Sequence, residues 1–224
     1  MAELYLVRHG QASFGAENYD ELSPSGRTQS HWLGEYFAQA KLRFDRVVIG
    51  TMRRHRQTAD AILDAMEGPQ AEIAPDAGLN EYDFQALFAA LGEADLAPGM
   101  TAASSKKDFY KGLKHVLQLW ADDRLPGCVP ETWRQFQARV ERARSDIQRS
   151  GGRCVLVVSS GGPIAVTAQQ VLQAPDAAAI ALNMQIRNSS VCQYVFNESA
   201  MSLVSLNGVP HLERADRHEF VTYG

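Results

Sequence analysis

Apolar residues follow two rhythms along this chain. The short unbroken runs Leu4 to Val7, Val47 to Ile49 and Cys154 to Ser159 predict buried strands. After the first run, Ser23-Pro24 places a hydroxyl N-cap before a proline at the first helical position. Trp32, Leu33, Tyr36 and Phe37 then recur at helical spacing and predict one apolar face. Residues 52–66 repeat the pattern, with Ala59, Ile62, Leu63 and Met66 inward. Two strand-to-helix units in succession predict a layered α/β sheet.

Further along, a helix over roughly Glu131 to Arg149 leads through Gly151-Gly152 into the strand at Cys154. Gly161-Gly162-Pro163 turns into a second apolar helix, Ile164 to Leu172. Val191 to Phe196 and Met201 to Leu206 flank a turn at Asn197 to Ser199 and predict two closing strands. From about 84 to 130 the rhythm changes to helical material broken by Gly, Pro and Ala, with an amphipathic stretch from Ser105 to Trp120. That segment predicts a helical lobe inserted over the sheet.

Composition narrows the function classes. At 224 residues and 24.7 kDa the chain suits one domain with a built-in lobe, 1–224, and its 45% hydrophobic and 21% charged content is in the globular range. A net charge of −4 disfavours nucleic-acid binding by bulk charge. The longest apolar runs are too short to span a bilayer, so neither a membrane partner nor a signal peptide is expected. Cys128, Cys154 and Cys192 are widely spaced and form no CxxC pair, which argues against a disulfide framework or a thiolate metal site and favours the cytoplasm. Among the cations, however, 17 are Arg and 5 are Lys. Arginine's planar fork matches phosphate and carboxylate oxygens, so the bias asks for an explanation at particular positions.

Sites in open α/β sheets lie beyond the carboxyl ends of the strands. Those ends carry Arg8, His9 and Gly10 after the first run, Arg53 and Arg54 after the second, and Ser159 to Gly162 after the third. A histidine, several arginines and a Gly-rich turn opening a helix point to a phosphoester or phosphoryl group.

On these residues the chain resembles the histidine phosphatase superfamily, also called phosphoglycerate-mutase-like. Leu6-Val7-Arg8-His9-Gly10-Gln11 looks like its signature, and Arg54, four residues before the Thr58-Ala59 pair, is similar to its second motif. Leu79 to Phe84 resembles the segment carrying the family's acidic proton donor, which maps onto Glu81. Val157 to Pro163 resembles the fourth motif, and Asn207 to Leu212 a C-terminal segment. The resemblance runs in order from residue 4 to about 212. It implies a three-layer α/β/α fold with a mostly parallel sheet flanked by helices. It also implies a metal-independent phosphatase with no cofactor, acting on a small phosphorylated substrate. His9 would be the nucleophile and form a phosphohistidine, Glu81 the proton donor, and Arg8, Arg54, Ser160 and Gly161 the phosphate contacts.

Two departures stand out. Ser160 occupies the position where the family normally has a second histidine, and Ser13 to Ala16 lacks the usual Asn. Arg187 and His211 are candidates to replace the missing cation. A pseudoenzyme that only binds phosphoesters, a phosphoglycerate-type mutase and a serine hydrolase built on Ser160 are the competing readings, the last weakened by Val158 where a nucleophile elbow needs Gly. A homo-oligomer is left open. The blander expectations are that Arg53 and Arg56 are solvated or ion-paired, that His31 and His115 are surface or packing residues, that Trp32, Tyr36 and Phe37 are core, and that Lys106-Lys107 form a wet helix face.

Overall fold

The computed structural model describes residues 1–13, 20–68, 71–92 and 106–223, without the side chains of Lys106 and Lys107. The elements run β1 (Ala2–Arg8), α1 (Pro24–Gln39), β2 (Arg46–Ile49), α2 (Arg53–Met66), β3 (Ile73–Pro75), α3 (Phe84–Leu91), α4 (Lys106–Ala121), α5 (Trp133–Arg149), β4 (Cys154–Ser159), α6 (Gly161–Leu172), α7 (Asp176–Asn183), β5 (Val191–Phe196) and β6 (Met201–Gly208). The sheet order is β3-β2-β4-β1-β5-β6. The first four strands in that order pair in parallel, and β5 and β6 close the edge antiparallel.

Helices cover both faces, giving the expected three-layer α/β/α arrangement with a mixed, mostly parallel sheet. Strand alternation divides the apolar runs between the layers. Tyr5, Val7, Leu156 and Val158 pack with Leu33 and Phe37 of α1 and Ile62 of α2. Leu4, Leu6, Val155 and Val157 pack with Ala143 and Ile147 of α5 and Ile164 of α6. Burial on both faces is why these strands read as unbroken apolar runs.

The helix ends follow local chemistry. Ser23 caps α1 by accepting from the Gly26 amide, with Pro24 at its first position. Thr132 and Gln135 form a reciprocal capping box that starts α5. Helix α6 begins at Gly161, three residues before the predicted Ile164, so Gly161-Gly162-Pro163 is helical rather than a turn. The pattern also missed β3, a three-residue strand, and α7.

In α1 the predicted apolar face is only half core. Leu33 and Phe37 are fully buried, whereas Tyr36 is exposed. Trp32 lies at the rim, stacked edge-on against Phe220 at 4.8 Å and under Arg217 at 4.1 Å. An aromatic with a polar edge can be covered by the C-terminal segment instead of the sheet, which spacing alone does not distinguish.

A third cluster joins Leu87 and Leu91 of α3, Leu117 and Trp120 of α4, Trp133 and Phe136 of α5 and Ile180 of α7, with Tyr82 at its base. Of these helices α3 and α4 fall within the stretch from about 84 to 130, of which 93–105 lie outside the described residues. Ser13 is the last described residue before 14–19, so the first-loop departure at Phe14 to Ala16 lies outside them too. No helix among the described residues is long and apolar enough to cross a membrane.

Candidate active site

The first strand delivers the central residue. Past Arg8, whose amide bonds to the Ser190 carbonyl at 3.0 Å, the His9 amide is tied to the Ser159 carbonyl at 2.9 Å. The His9 carbonyl accepts from the Ser189 amide at 3.2 Å and Asn188 Nδ2 at 3.4 Å, so the backbone at this position is held on both sides. Its ring is buried. His9 Nδ1 lies 2.7 Å from the Gly10 carbonyl, which can only accept, so Nδ1 carries the proton. That tautomer leaves a lone pair on Nε2, and Arg54 Nε donates to it at 3.2 Å. Burial, followed by Arg54, Arg8 and His55, holds the His9 pKa well below its ordinary value, so the ring is neutral.

Helix α2 positions Arg54 beside that lone pair. Arg54 is 5% exposed and also donates to Asp20 Oδ1 at 2.9 Å. Asp20 Oδ2 in turn accepts from the Arg53 amide at 2.8 Å, so one carboxylate holds both the helix start and the guanidinium. Thr58 locks the helix to the first loop: its Oγ1 donates to the Arg54 carbonyl at 2.8 Å and accepts from the Gly10 amide at 3.1 Å. The spacing of Arg54 and Thr58 is one helical turn, which is what lets a single hydroxyl bridge them.

Glu81 arrives from a different direction. Arg139 of α5 donates to the carbonyls of Gly78 at 3.0 Å and Asn80 at 2.7 Å while paired with Glu131, which fixes the backbone just before the carboxylate. Asn80 also exchanges hydrogen bonds with Thr51 at 2.7 Å in both directions, linking this segment to the end of β2. Glu81 Oε2 accepts from the Gly162 amide at 3.2 Å and Oε1 from the Tyr82 amide at 3.2 Å. A Cβ at 162 would lie 2.2 Å from Glu81 Oε1, so only glycine permits this approach. Burial raises the Glu81 pKa, against the opposing pull of the Gly162 amide, Arg54, Arg8 and the Tyr82 amide.

The Gly-rich turn completes the arrangement. Gly161 opens α6 close to Arg8: a Cβ there would stand 3.7 Å from the guanidinium carbon. The Arg8 fork also donates to the Ile186 carbonyl. Ser159 Oγ is turned away and donates to the Leu79 carbonyl at 2.7 Å. Ser160 is the N-cap of α6 but its side chain makes no capping bond. Instead Ser160 Oγ lies 2.7 Å from His55 Nε2. Both residues are fully buried, and the His55 ring stands 5.7 Å from that of His9, centroid to centroid. Burial and then Arg54 lower the His55 pKa to about 3.

His9, Arg8, Arg54, Glu81, Ser160 and Gly161 are thus linked through direct contacts or one shared neighbour. The substitutes for a missing cation are placed otherwise. His211 is buried on Ser189 Oγ at 2.8 Å, and burial with Arg217 takes its pKa to about 3, so it supplies no charge. Arg187 is engaged with Asn207, whose carbonyl its guanidinium holds and whose Oδ1 its amide contacts at 2.8 Å. Arg53 pairs with Glu21 and Arg56 with Asp60, both exposed, as the blander reading had them. His31 likewise faces Glu35 at the surface, and His115 is exposed. Sequence reasoning passed over His55, Asp20 and Arg139. A histidine one residue from the motif arginine, in a chain lacking an imidazole at 160, was the one available signal.

A model of the histidine phosphatase superfamily, branch 1, matches residues 4–208. The chain belongs to this superfamily. Among characterised relatives it is 32% identical over 87 residues to a 2,3-bisphosphoglycerate-dependent phosphoglycerate mutase from Bartonella bacilliformis, covering 36% of this chain and 42% of the mutase. The chain therefore spans less than half the length of that relative. It is 25% identical over 173 residues to a broad-specificity phosphatase from Saccharomyces cerevisiae, covering 74% of this chain and 68% of the yeast protein. In fold it resembles a phosphoserine phosphatase from Entamoeba histolytica crystallised with phosphoserine, with a TM-score of 0.67 and 17% identity over 95% of this chain and all of the other. Among the described residues of this superfamily member, no group of three His, Cys, Asp or Glu side chains is placed to hold a metal ion.

Proposed function

We propose that the chain is a phosphomonoesterase that works through a phosphohistidine on His9, with arginines rather than a metal facing the phosphoryl charge. The observation that carries this reading is the His9 tautomer: a buried neutral ring with Nδ1 on a carbonyl and its Nε2 lone pair beside a guanidinium. In-line attack by Nε2 on phosphorus would form the P–N bond as the ester P–O bond breaks, dividing one difficult transfer into two. Arg54 and Arg8 would hold the nonbridging oxygens, where charge needs stabilising throughout a loose transition state. Glu81, whose raised pKa favours the acid form, would give its proton to the departing alkoxide. The resulting carboxylate would then take a proton from water as that oxygen attacks phosphorus and the P–N bond breaks, releasing inorganic phosphate and restoring both groups.

Family membership supports action on phosphoesters. Of two sequence relatives, the phosphatase match covers 74% of the chain and the mutase match 36%, although in fold the chain resembles phosphatases and a phosphoglycerate mutase alike. Hydrolysis of a small phosphorylated metabolite is accordingly the expected reaction. A panel of phosphomonoesters, with an aryl phosphate as reference, measures it directly. Phosphate release by the wild-type chain that is abolished in His9→Ala, with acid-labile phosphate trapped on the wild type, is the expected outcome. Undiminished turnover by purified His9→Ala would sink the proposal.

A further inference from the structure

Resting on the phosphomonoesterase reading, we infer that His55 and Ser160 act as one unit, a hydroxyl positioned by an imidazole, which supplies the phosphoryl contact that a histidine at 160 would have made alone. Ser160 is the group that would touch the phosphoryl oxygens, and His55 is its positioning residue.

Three placements carry this. Arg54 and His55 are consecutive on the first turn of α2, so their side chains leave the helix about 100° apart. One reaches the His9 Nε2 lone pair and the other reaches Ser160 Oγ at 2.7 Å, which brings the two elements flanking His9 together through side chains. Second, the serine forgoes the bond that a hydroxyl at an N-cap normally makes to the helix amides, so its oxygen is committed to the imidazole. Third, the end of β2 makes room for the ring: a Cβ on Gly50 would lie 2.1 Å from His55 Nδ1, so the imidazole occupies space that only glycine leaves open.

The chemistry follows from the inventory of protons. A neutral imidazole has one N–H and one lone pair, and a hydroxyl has one proton and two lone pairs. His55 Nδ1 is buried without a hydrogen-bond partner, and an orphan lone pair is tolerated better than an orphan N–H, which places the proton on Nε2; it then donates to Ser160 Oγ and leaves the hydroxyl proton to point at a phosphoryl oxygen. Without the ring, a hydroxyl buried at this depth would turn to whatever acceptor lies nearest. The pair therefore delivers one oriented donor beside His9, whose ring is 5.7 Å from that of His55. The imidazole is contributed from α2 instead of from α6, so the loss of a histidine at 160 and the presence of one at 55 become a single feature of the site.

A double-mutant cycle on the full chain tests this, with kcat and KM for an aryl phosphate, vanadate affinity and the thermal unfolding midpoint read for each variant. Loss of one oriented donor costs on the order of 10²-fold in rate. Ser160→Ala and His55→Ala should each lower kcat by about that factor with little change in KM, and the double variant should lose no more than either alone. His55→Gln, which keeps an amide donor in place of Nε2–H, should recover most of the loss. His55→Ala combined with Ser160→His should recover it as well, because the imidazole returns from the other side. Should alanine at 55 prevent folding, phenylalanine fills the volume without a donor and takes its place. Additive losses, or a folded His55→Ala with unchanged kcat, would overturn the pair while leaving His9-dependent turnover intact. A wild-type chain that neither hydrolyses phosphoesters nor binds vanadate would overturn the underlying reading and this inference with it. Fluorophosphonate labelling of Ser160 would also overturn it, by making the serine a nucleophile.

Discussion

Glu81→Gln removes an acid and keeps a shape. Its single amide oxygen can replace only one of the two carboxyl oxygens that accept from the Gly162 and Tyr82 amides at 3.2 Å, so one backbone amide loses its acceptor. What disappears is the proton for the leaving group. General acid catalysis contributes typically 10²- to 10⁴-fold, or roughly 2.7 to 5.4 kcal/mol of barrier. That contribution matters in proportion to how poor the leaving group is. An alkyl phosphate, which leaves as a strongly basic alkoxide, should lose close to the whole factor, whereas an activated aryl phosphate should lose little in its first step. The wild-type kcat should fall at high pH as the Glu81 proton is lost, at a pKa above the ordinary carboxyl value, because burial outweighs the four groups that favour its anion. In Glu81→Gln that basic limb should vanish for the alkyl substrate. Stability gives an independent sign. A carboxyl whose folded pKa is raised is favoured below its unfolded pKa and penalised as pH rises through the folded value. The wild type should therefore lose stability relative to Glu81→Gln as pH rises through the folded pKa of the carboxyl, over and above the constant cost of the acceptor that glutamine removes. Equal losses on alkyl and aryl substrates, with the basic limb retained, would refute the proton-donor role.

Two further outcomes follow from the same framework. Thr58→Val keeps the shape but leaves the buried Gly10 amide without its acceptor, which should cost about 1 to 3 kcal/mol in denaturant unfolding and lower kcat as well; unchanged stability would show that the Arg54–Thr58–Gly10 bridge is idle. Acid should destabilise the fold early, because His55 and His211 sit at about 3 against an ordinary 6.5. The unfolded chain then binds protons first, and stability present above about pH 6.5 is lost on the way down to 3. At 1.36 kcal/mol per unit each group removes about 2 kcal/mol by pH 5, so the unfolding midpoint should drop between pH 7 and pH 5 and drop less in His211→Gln; a flat profile would contradict the buried neutral rings.

The layers were legible because both faces of the central strands are buried. Leu4 to Val7 and Cys154 to Ser159 could be read as strands without knowing their partners, and β4 and β5 fall on the predicted residues. What failed was local. The three residues of β3 carry too little pattern to register, and α7 follows Pro175 as a short run of small residues with two fully buried, Ala179 and Ile180. Trp32 and Tyr36 obey helical spacing yet leave the core, because spacing reports the side of a helix and not the depth to which that side is covered.

The site divides along a similar line. Arg8, His9, Arg54, Glu81 and the Gly-rich turn could be named because each stands at a strand end or a motif position that order along the chain reveals. Residues that act through a partner have no such marker. Asp20 matters because it faces Arg54, and Arg139 because it grips two carbonyls just ahead of Glu81, relations that exist only in three dimensions. Ser160 shows the consequence most plainly. The resemblance read from the sequence would put a histidine at this position, so along the chain the serine reads as a loss, with compensation sought in Arg187 and His211, which are engaged with Asn207 and Ser189. Within the fold the imidazole is 2.7 Å away, brought by the same helical turn that carries Arg54. A hydroxyl extends one atom from its Cβ and an imidazole several, so under the pairing inferred above α2 would bear the long side chain and the start of α6 the short one. An exchange of that kind would preserve a contact while changing the motif, and it is visible only where both partners are seen together.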